Sequence, residues 1–179
     1  MNDILDGVRD HYRATGLAER LKTALTALGP EEQRLLPQQL AALDQFHTRG
    51  LAATAELAKL AGIAADMSVL DVGSGVGGPA RFLAATCGCR VTGVDLSQPF
   101  VDAARYLTER TGQSGQVSFE TASALDLPFD DGQFDVAVLQ QHDVETTVVK
   151  WKLQRASGLK RHLPALSRAL GQIARGIDE

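Results

Sequence analysis

The residues of this 179-residue chain best suited to chemistry stand between positions 71 and 95. Gly73, Gly75 and Gly78 satisfy the spacing G-x-G-x-x-G, with Ser74 and Gly77 between them, and Asp95 follows about where a dinucleotide fingerprint wants a ribose-binding carboxylate. A glycine loop lets backbone approach a ligand closely, because no Cβ intrudes and φ > 0 is available. The pattern is a nucleotide-site signal, and its spacing leaves the nucleotide open. Asp71, two positions before the first glycine, narrows the choice. A fixed carboxylate at the end of a strand repels pyrophosphate and suits a ligand bearing an ammonium or other cation. A nicotinamide-dependent oxidoreductase is thus accommodated by the glycines and Asp95 but opposed by Asp71.

These residues need a strand, a tight loop and a helix to hold them. Ser68–Val72 reads as a short buried strand, 73–78 as the loop, and Pro79 onward as a helix that tolerates proline in its first turn. Further strands are expected at Arg90–Asp95, Val117–Thr121 and Phe134–Gln140, with a helix over Pro99–Thr108. Strands alternating with helices predict a doubly wound, Rossmann-like α/β sheet, mostly parallel, with helices on both faces. Ahead of it, leucines 17, 21, 25 and 28 recur at helical spacing up to the stop signal Gly29-Pro30, leucines cluster again over 35–43, and Gly50–Ala61 reads as another helix closed by Gly62. The expected organisation is a helical N-terminal extension over 1–62, a nucleotide-binding core over 63–141 and a divergent tail over 142–179.

Composition excludes several classes. The chain is 44% hydrophobic and 22% charged, enough for one domain core, and its net charge of −4 offers no global basic surface to nucleic acid or anionic lipid. Cys87 and Cys89, a lone C-x-C pair, cannot complete a four-ligand zinc site, so no metal is expected and both read as reduced thiols. The acidic N-terminus lacks the basic and apolar regions of a signal peptide, and no stretch approaches the length of a membrane span; a cytoplasmic protein is expected.

The stretch Val69-Leu70-Asp71-Val72-Gly73-Ser74-Gly75-Val76-Gly77 resembles the first motif of class I S-adenosylmethionine-dependent methyltransferases. Gly93-Val94-Asp95-Leu96-Ser97 resembles the second, and Leu125–Val136 resembles the segment that follows. The order of the three is also the family's, and the resemblance covers roughly 44–141. It implies S-adenosyl-L-methionine as cofactor, with Asp71 holding the methionine ammonium through the loop or a water while Gly73, Ser74, Gly75 and Gly77 wrap the methionine and ribose. Asp95 would accept both ribose hydroxyls and Leu96 would pack on adenine. At the end of the third strand, Ser123, Ala124 and Leu125 align with the adenine-facing stretch, where the family often carries a carboxylate. The Ser123 hydroxyl lacks that charge, and Asp126 is the nearby substitute. Gln140 would face the cofactor after the fourth strand.

Asp44-Gln45-Phe46-His47 resembles the entrance segment of sarcosine/dimethylglycine N-methyltransferases and quinone-biosynthesis C-methyltransferases. Phe46 and His47 would then line the pocket for a small-molecule methyl acceptor, the plainer alternative being a core phenylalanine and a surface histidine. His47 and His142 are the weak candidates for a catalytic base. The implied activity is N- or C-methylation of a small molecule, the alternative a non-catalytic module that binds the cofactor or a partner chain.

The tail breaks the pattern. Residues 142–179 carry a balance of +3 against −7 for the rest, and Trp151–Arg175 suggests helix interrupted at Gly158 and Pro164. Too few residues follow Gln140 for three more βα units of about 30 residues each. The expectation is therefore a chain truncated or frameshifted after about residue 141, its last strands replaced by a helical tail. An open edge on the fourth strand would await the tail, a second copy or another edge-strand partner.

Overall fold

The computed structural model describes residues 50–124, 126–130, 132–139, 151 and 152, together with Thr23, Arg34, Leu35 and Leu40. The hydrophobic run Ser68–Val72 forms strand β1, and its last four residues are buried. On one side β1 pairs in parallel with β2 (Arg90–Asp95), which pairs in parallel with β3 (Val117–Thr121). On its other side it pairs in parallel with β4 (Val136–Leu139). The chain therefore builds outward from β1 in one direction and then returns to its opposite flank, and the strand order is β3-β2-β1-β4-β5, with β5 the short strand Trp151–Lys152. Such a reversal opens a crevice at the carboxyl ends of β1 and β4, where open α/β sheets bind ligands.

Three helices among the described residues share one face. Leu57, Ala58 and Ala61 of α1 (Gly50–Ala61), Ala80, Leu83 and Ala84 of α2 (Gly78–Cys87), and Val101 and Ala104 of α3 (Gln98–Arg110) pack on Val69, Val91, Val117, Phe119, Val136 and Val138. Fully burying a side chain of this size contributes about 1.5–3 kcal/mol. The opposite face, built on Leu70, Val72, Val94, Ala137 and Leu139, is covered by Leu127, Phe129 and Phe134. The two phenylalanine rings meet edge to face with centroids 5.0 Å apart. Among the described residues the three helices lie on one face, and the aromatic segment before β4 covers the other.

At the amino end of the sheet Asp135 closes a reciprocal pair with Ser68. The Ser68 N–H donates to Asp135 Oδ2 at 2.9 Å, and the Asp135 N–H donates to the Ser68 carbonyl at 2.8 Å. This carboxylate, part of the third motif, fixes β4 against β1 at the end remote from the crevice.

One expectation fails at the far side of the sheet. Trp151 and Lys152, read as the start of a tail helix, form a two-residue strand, β5, antiparallel to β4 with Val136 opposite Lys152 and Ala137 opposite Trp151. The cause is the edge itself: the unpaired backbone groups of β4 take up an extended segment of the returning chain, which outweighs a weak helical periodicity. Over Val136 and Ala137 the edge is therefore closed. The rest of the expected helical tail, 153–179, lies outside the described residues. So do the expected helix over 17–28, apart from Thr23, and the leucine cluster over 35–43, apart from Leu35 and Leu40; Thr23 and Leu40 are helical.

No helix among the described residues is long and apolar enough to cross a membrane. None of their His, Cys, Asp and Glu side chains group in a way that could hold a metal ion.

Candidate functional site

The glycine loop leaves β1 and turns at once toward β2. The N–H groups of Gly73 and Ser74 both donate to the Val94 carbonyl, at 2.8 and 3.0 Å, and the Gly77 N–H donates back to the Ser74 carbonyl at 2.9 Å. At Gly77 the backbone takes φ +81°, and a Cβ there would overlap the Phe119 ring and come within 2.9 Å of Arg81 Nη1. Gly75, at φ +53°, differs: a Cβ on it would meet nothing within 4 Å, so the open space that a close ligand needs lies above this residue.

Asp95 ends β2 and ties the loop down. Its Oδ2 accepts the Gly75 N–H at 2.9 Å and its Oδ1 accepts the Ser97 N–H at 2.9 Å. Each oxygen keeps a further lone pair for a ligand. Burial pushes its carboxyl above the usual range, and the backbone donors at Ser97, Gly75 and Leu96 pull it back. Leu96 follows, half-buried.

Asp71 has the opposite environment. It lies on β1 between Gly93 of β2 and Val138 of β4, is 1% exposed, and its Oδ2 has no hydrogen-bond partner. Burial, then the neighbouring Asp95 charge, push its carboxyl up from 3.8 to about 7. The Ser74 hydroxyl, also buried, lacks a partner as well. Orphaned buried polar atoms are costly in folded proteins, and these two, one near the end of β1 and one in the loop that follows it, stand where a polar ligand at the carboxyl end of the strand would complete them.

The end of β3 joins the same rim. The Ala122 N–H donates to the Asp95 carbonyl at 3.0 Å, and a tight turn follows in which Ser123 bridges Asp126, whose N–H donates to the Ser123 carbonyl at 2.9 Å. Ser123 and Ala124 are half-buried, whereas Asp126 is exposed. The structure thus gathers Asp71, Gly73, Ser74, Gly75, Gly77, Asp95, Leu96, Ser123 and Ala124 along the carboxyl ends of β1, β2 and β3. Leu125, Gln140, Phe46, His47 and His142 lie outside the described residues.

Sequence reasoning passed over a second set of residues that grips the loop. Arg81, inside α2 and 1% exposed, donates from Nη2 to the Val76 carbonyl at 2.8 Å, and from Nη1 to the Ala104 carbonyl at 3.2 Å and Thr108 Oγ1 at 3.1 Å. Val76 itself packs against Leu35, Leu40 and Leu107. The visible signal was an arginine in an otherwise apolar helix, Gly78-Pro79-Ala80-Arg81-Phe82-Leu83, which a solvated face does not explain.

A glycine loop between a central parallel strand and a helix, at the crevice where the strand order reverses, with a carboxylate on each of the two strands it joins, defines an open α/β domain of the nucleotide-binding kind. Within that class the chain belongs to the methyltransferase family: the family model described as a methyltransferase domain matches residues 69–164, more than half of the chain. The match continues beyond residue 141, past the point where the family pattern was expected to stop.

Among relatives, a sterol 24-C-methyltransferase of Neurospora crassa is 38% identical over 102 residues, covering 57% of this chain and 26% of that one. The chloroplastic tocopherol O-methyltransferase of Arabidopsis thaliana is 41% identical over 68 residues, covering 38% of this chain and 20% of that one. The chain thus spans about a quarter or less of the length of these curated relatives. Among solved structures, a SAM-dependent methyltransferase from Thiobacillus denitrificans in complex with S-adenosyl-L-homocysteine is similar with a TM-score of 0.50 and 27% identity, over 73% of this chain and 48% of that one. The sheet described above is that of the Rossmann-like class I methyltransferase fold.

Proposed function

We propose that this chain binds S-adenosyl-L-methionine at the glycine loop and serves the transfer of its methyl group to a small-molecule acceptor. The observation that carries this reading is the buried Asp71 carboxyl, one oxygen of which has no partner among the described residues, on the strand that leads into the loop of Ser74, whose buried hydroxyl is likewise unpartnered, and of Gly75, where a Cβ would have open space. A carboxyl in that position fits a ligand that brings a cation and hydrogen-bond donors, and opposes one that brings phosphates. The family supports the choice, as does the similar solved enzyme that binds S-adenosyl-L-homocysteine.

When bound, S-adenosyl-L-methionine supplies an electrophilic methyl on a sulfonium and a neutral thioether as leaving group. The protein's part is to bind, orient and exclude water. Asp71 takes the ammonium, and Ser74 offers its hydroxyl beside it. Asp95, held in orientation by the Gly75 and Ser97 N–H groups, turns its remaining lone pairs to the ribose hydroxyls. Gly73, Gly75 and Gly77 keep the backbone near the cofactor, while Leu96, Ser123, Ala124, Leu125 and Gln140 border the adenine and its approach. By the family resemblance alone, Phe46 and His47 would form the acceptor side, with His47 and His142 the candidates for proton removal. Relatives named for a sterol carbon and a tocopherol oxygen support a small organic acceptor. The free thiols fit a reducing, cytoplasmic setting, and the part of the β4 edge past the two pairs with β5 is where a second copy or other partner would join.

Thermal unfolding with added ligand tests the cofactor. Ligand at about 100 times its dissociation constant stabilises the native state by about 2.7 kcal/mol. S-adenosyl-L-methionine and S-adenosyl-L-homocysteine should raise the transition and NAD should not. A rise with NAD alone sinks the assignment. Transfer of labelled methyl to sterol or phenol acceptors then tests catalysis, and binding without transfer to any acceptor favours the non-catalytic alternative.

A further inference from the structure

We propose that Arg81 is a positioning residue for cofactor binding, a buried cation that fixes the glycine loop by its Val76 carbonyl rather than a packing element of α2. The proposal rests on the cofactor assignment above. Its observations are independent of the two acids on the rim.

A guanidinium that is 1% exposed must be used, because burying it costs far more than burying a leucine. Here it spans two elements. One nitrogen, Nη2, holds the Val76 carbonyl, next to the residue whose backbone stands at φ +81°. The other, Nη1, reaches Ala104 and Thr108 on α3. The Arg81 carbonyl in turn accepts from Gln113 Nε2 at 2.9 Å, which ties the same residue to the stretch before β3. The loop is gripped from several directions: by the guanidinium at the Val76 carbonyl, by Leu35, Leu40 and Leu107 at the Val76 side chain, and by Phe119 against Gly77. Glycine at 77 is explained by that grip, since the missing Cβ is the space which Phe119 and the guanidinium occupy.

The consequence concerns Ser74 and Gly75, which Asp95 and Val94 hold on the β2 side and the Gly77 N–H holds from within the loop, the Ser74 hydroxyl having no partner among the described residues. With the Val76 carbonyl fixed, the Ser74–Gly75 segment is preorganised. Without it, a ligand must order the loop as it binds and loses affinity accordingly. An ordinary buried side chain on the same helix contributes stability and no preorganisation.

The experiment compares Arg81→Met and Arg81→Lys with Leu83→Ala, a fully buried residue of α2 that faces the sheet. Titration calorimetry of the full chain with S-adenosyl-L-homocysteine is run well below the melting transition of each variant, which is measured alongside. The expected result is a loss of affinity of at least about tenfold in Arg81→Met, the weight of a charge-assisted hydrogen bond, partly restored in Arg81→Lys. Leu83→Ala should lower the melting temperature with its affinity within about twofold of wild type. If Arg81→Met does not fold, Arg81→Lys against Leu83→Ala decides the question by the same readout. Arg81 variants that lose no more affinity than Leu83→Ala overturn the proposal alone. A wild-type chain that binds neither adenosyl ligand overturns the cofactor assignment and this proposal with it.

Discussion

Asp71→Asn changes a buried acid into a neutral amide of the same shape and should alter the pH dependence of both stability and binding. The Asp71 carboxyl stands at about 7 in the fold against an ordinary 3.8, raised first by burial and second by Asp95. Between those values the folded chain holds a proton that the unfolded chain has released, so stability falls as pH rises. At 1.36 kcal/mol per pH unit, the span from 3.8 to about 7 corresponds to about 4 kcal/mol, fully present near pH 4 and lost by pH 8. The Asn variant lacks this slope. Denaturant unfolding of the ligand-free chains at pH 4 and pH 8 should therefore show the variant gaining about 4 kcal/mol relative to wild type across the interval. Because Asp95 is one of the causes, the difference belongs to the pair of acids rather than to one group. Binding should run the other way. A cationic ammonium wants the ionised carboxylate, so S-adenosyl-L-homocysteine should bind wild type about fivefold more weakly at pH 6 than at pH 7, and the Asn variant weakly with no such step. A difference curve flat from pH 4 to pH 8 would falsify the buried-acid account, and undiminished binding by the variant would remove Asp71 from the cofactor site.

Asp95→Asn leaves one oxygen for the Gly75 and Ser97 N–H groups, so one donor goes unpaired; we expect about 1–3 kcal/mol less stability by chemical denaturation and weaker adenosyl binding. Gly77→Ala meets a positive φ together with the Phe119 ring and should lower the melting temperature by several degrees, whereas a wild-type-like transition would contradict the loop geometry. Leu40→Ala empties a fully buried position against Val76 and Leu107 and should cost about 2–5 kcal/mol in unfolding free energy; a change below about 0.5 kcal/mol would show that the extension does not pack on the loop.

The parts of this molecule legible in sequence are those decided locally. Ser68–Val72 is a strand because consecutive β-branched and leucine residues are buried on both faces of a central parallel strand, and the loop after it follows from glycines whose positive φ other residues resist. The acids were legible because their sequence positions put them at strand ends. What escaped depends on partners distant in the chain. Arg34 Nε donates to the Thr111 carbonyl 77 positions away, and Leu35 reaches α3 through its own N–H to the Arg110 carbonyl. Nothing in the spacing around Leu35 and Leu40 announces that they pack with Val76 of the glycine loop. Trp151 was misread for a related reason, since a helical period in its own segment competes with backbone bonds on offer from β4, which belongs to the core.

The two acids at the rim explain each other. Asp95 has a backbone donor on each oxygen, so its charge is partly satisfied before any ligand arrives; Asp71 Oδ2 has none. Burial first, and the neighbouring Asp95 charge second, raise the Asp71 carboxyl to about 7, so below that pH the pair of acids holds a proton, with Asp71 its favoured site. The ligand-free loop is in this way kept neutral enough to fold, while an arriving cation can recover the second negative charge by displacing the proton. A pyrophosphate brings no positive charge to do so, and Asp71 gives it nothing to bind. The choice between two nucleotide chemistries that the glycines leave open is then made by which of the acids lacks a donor.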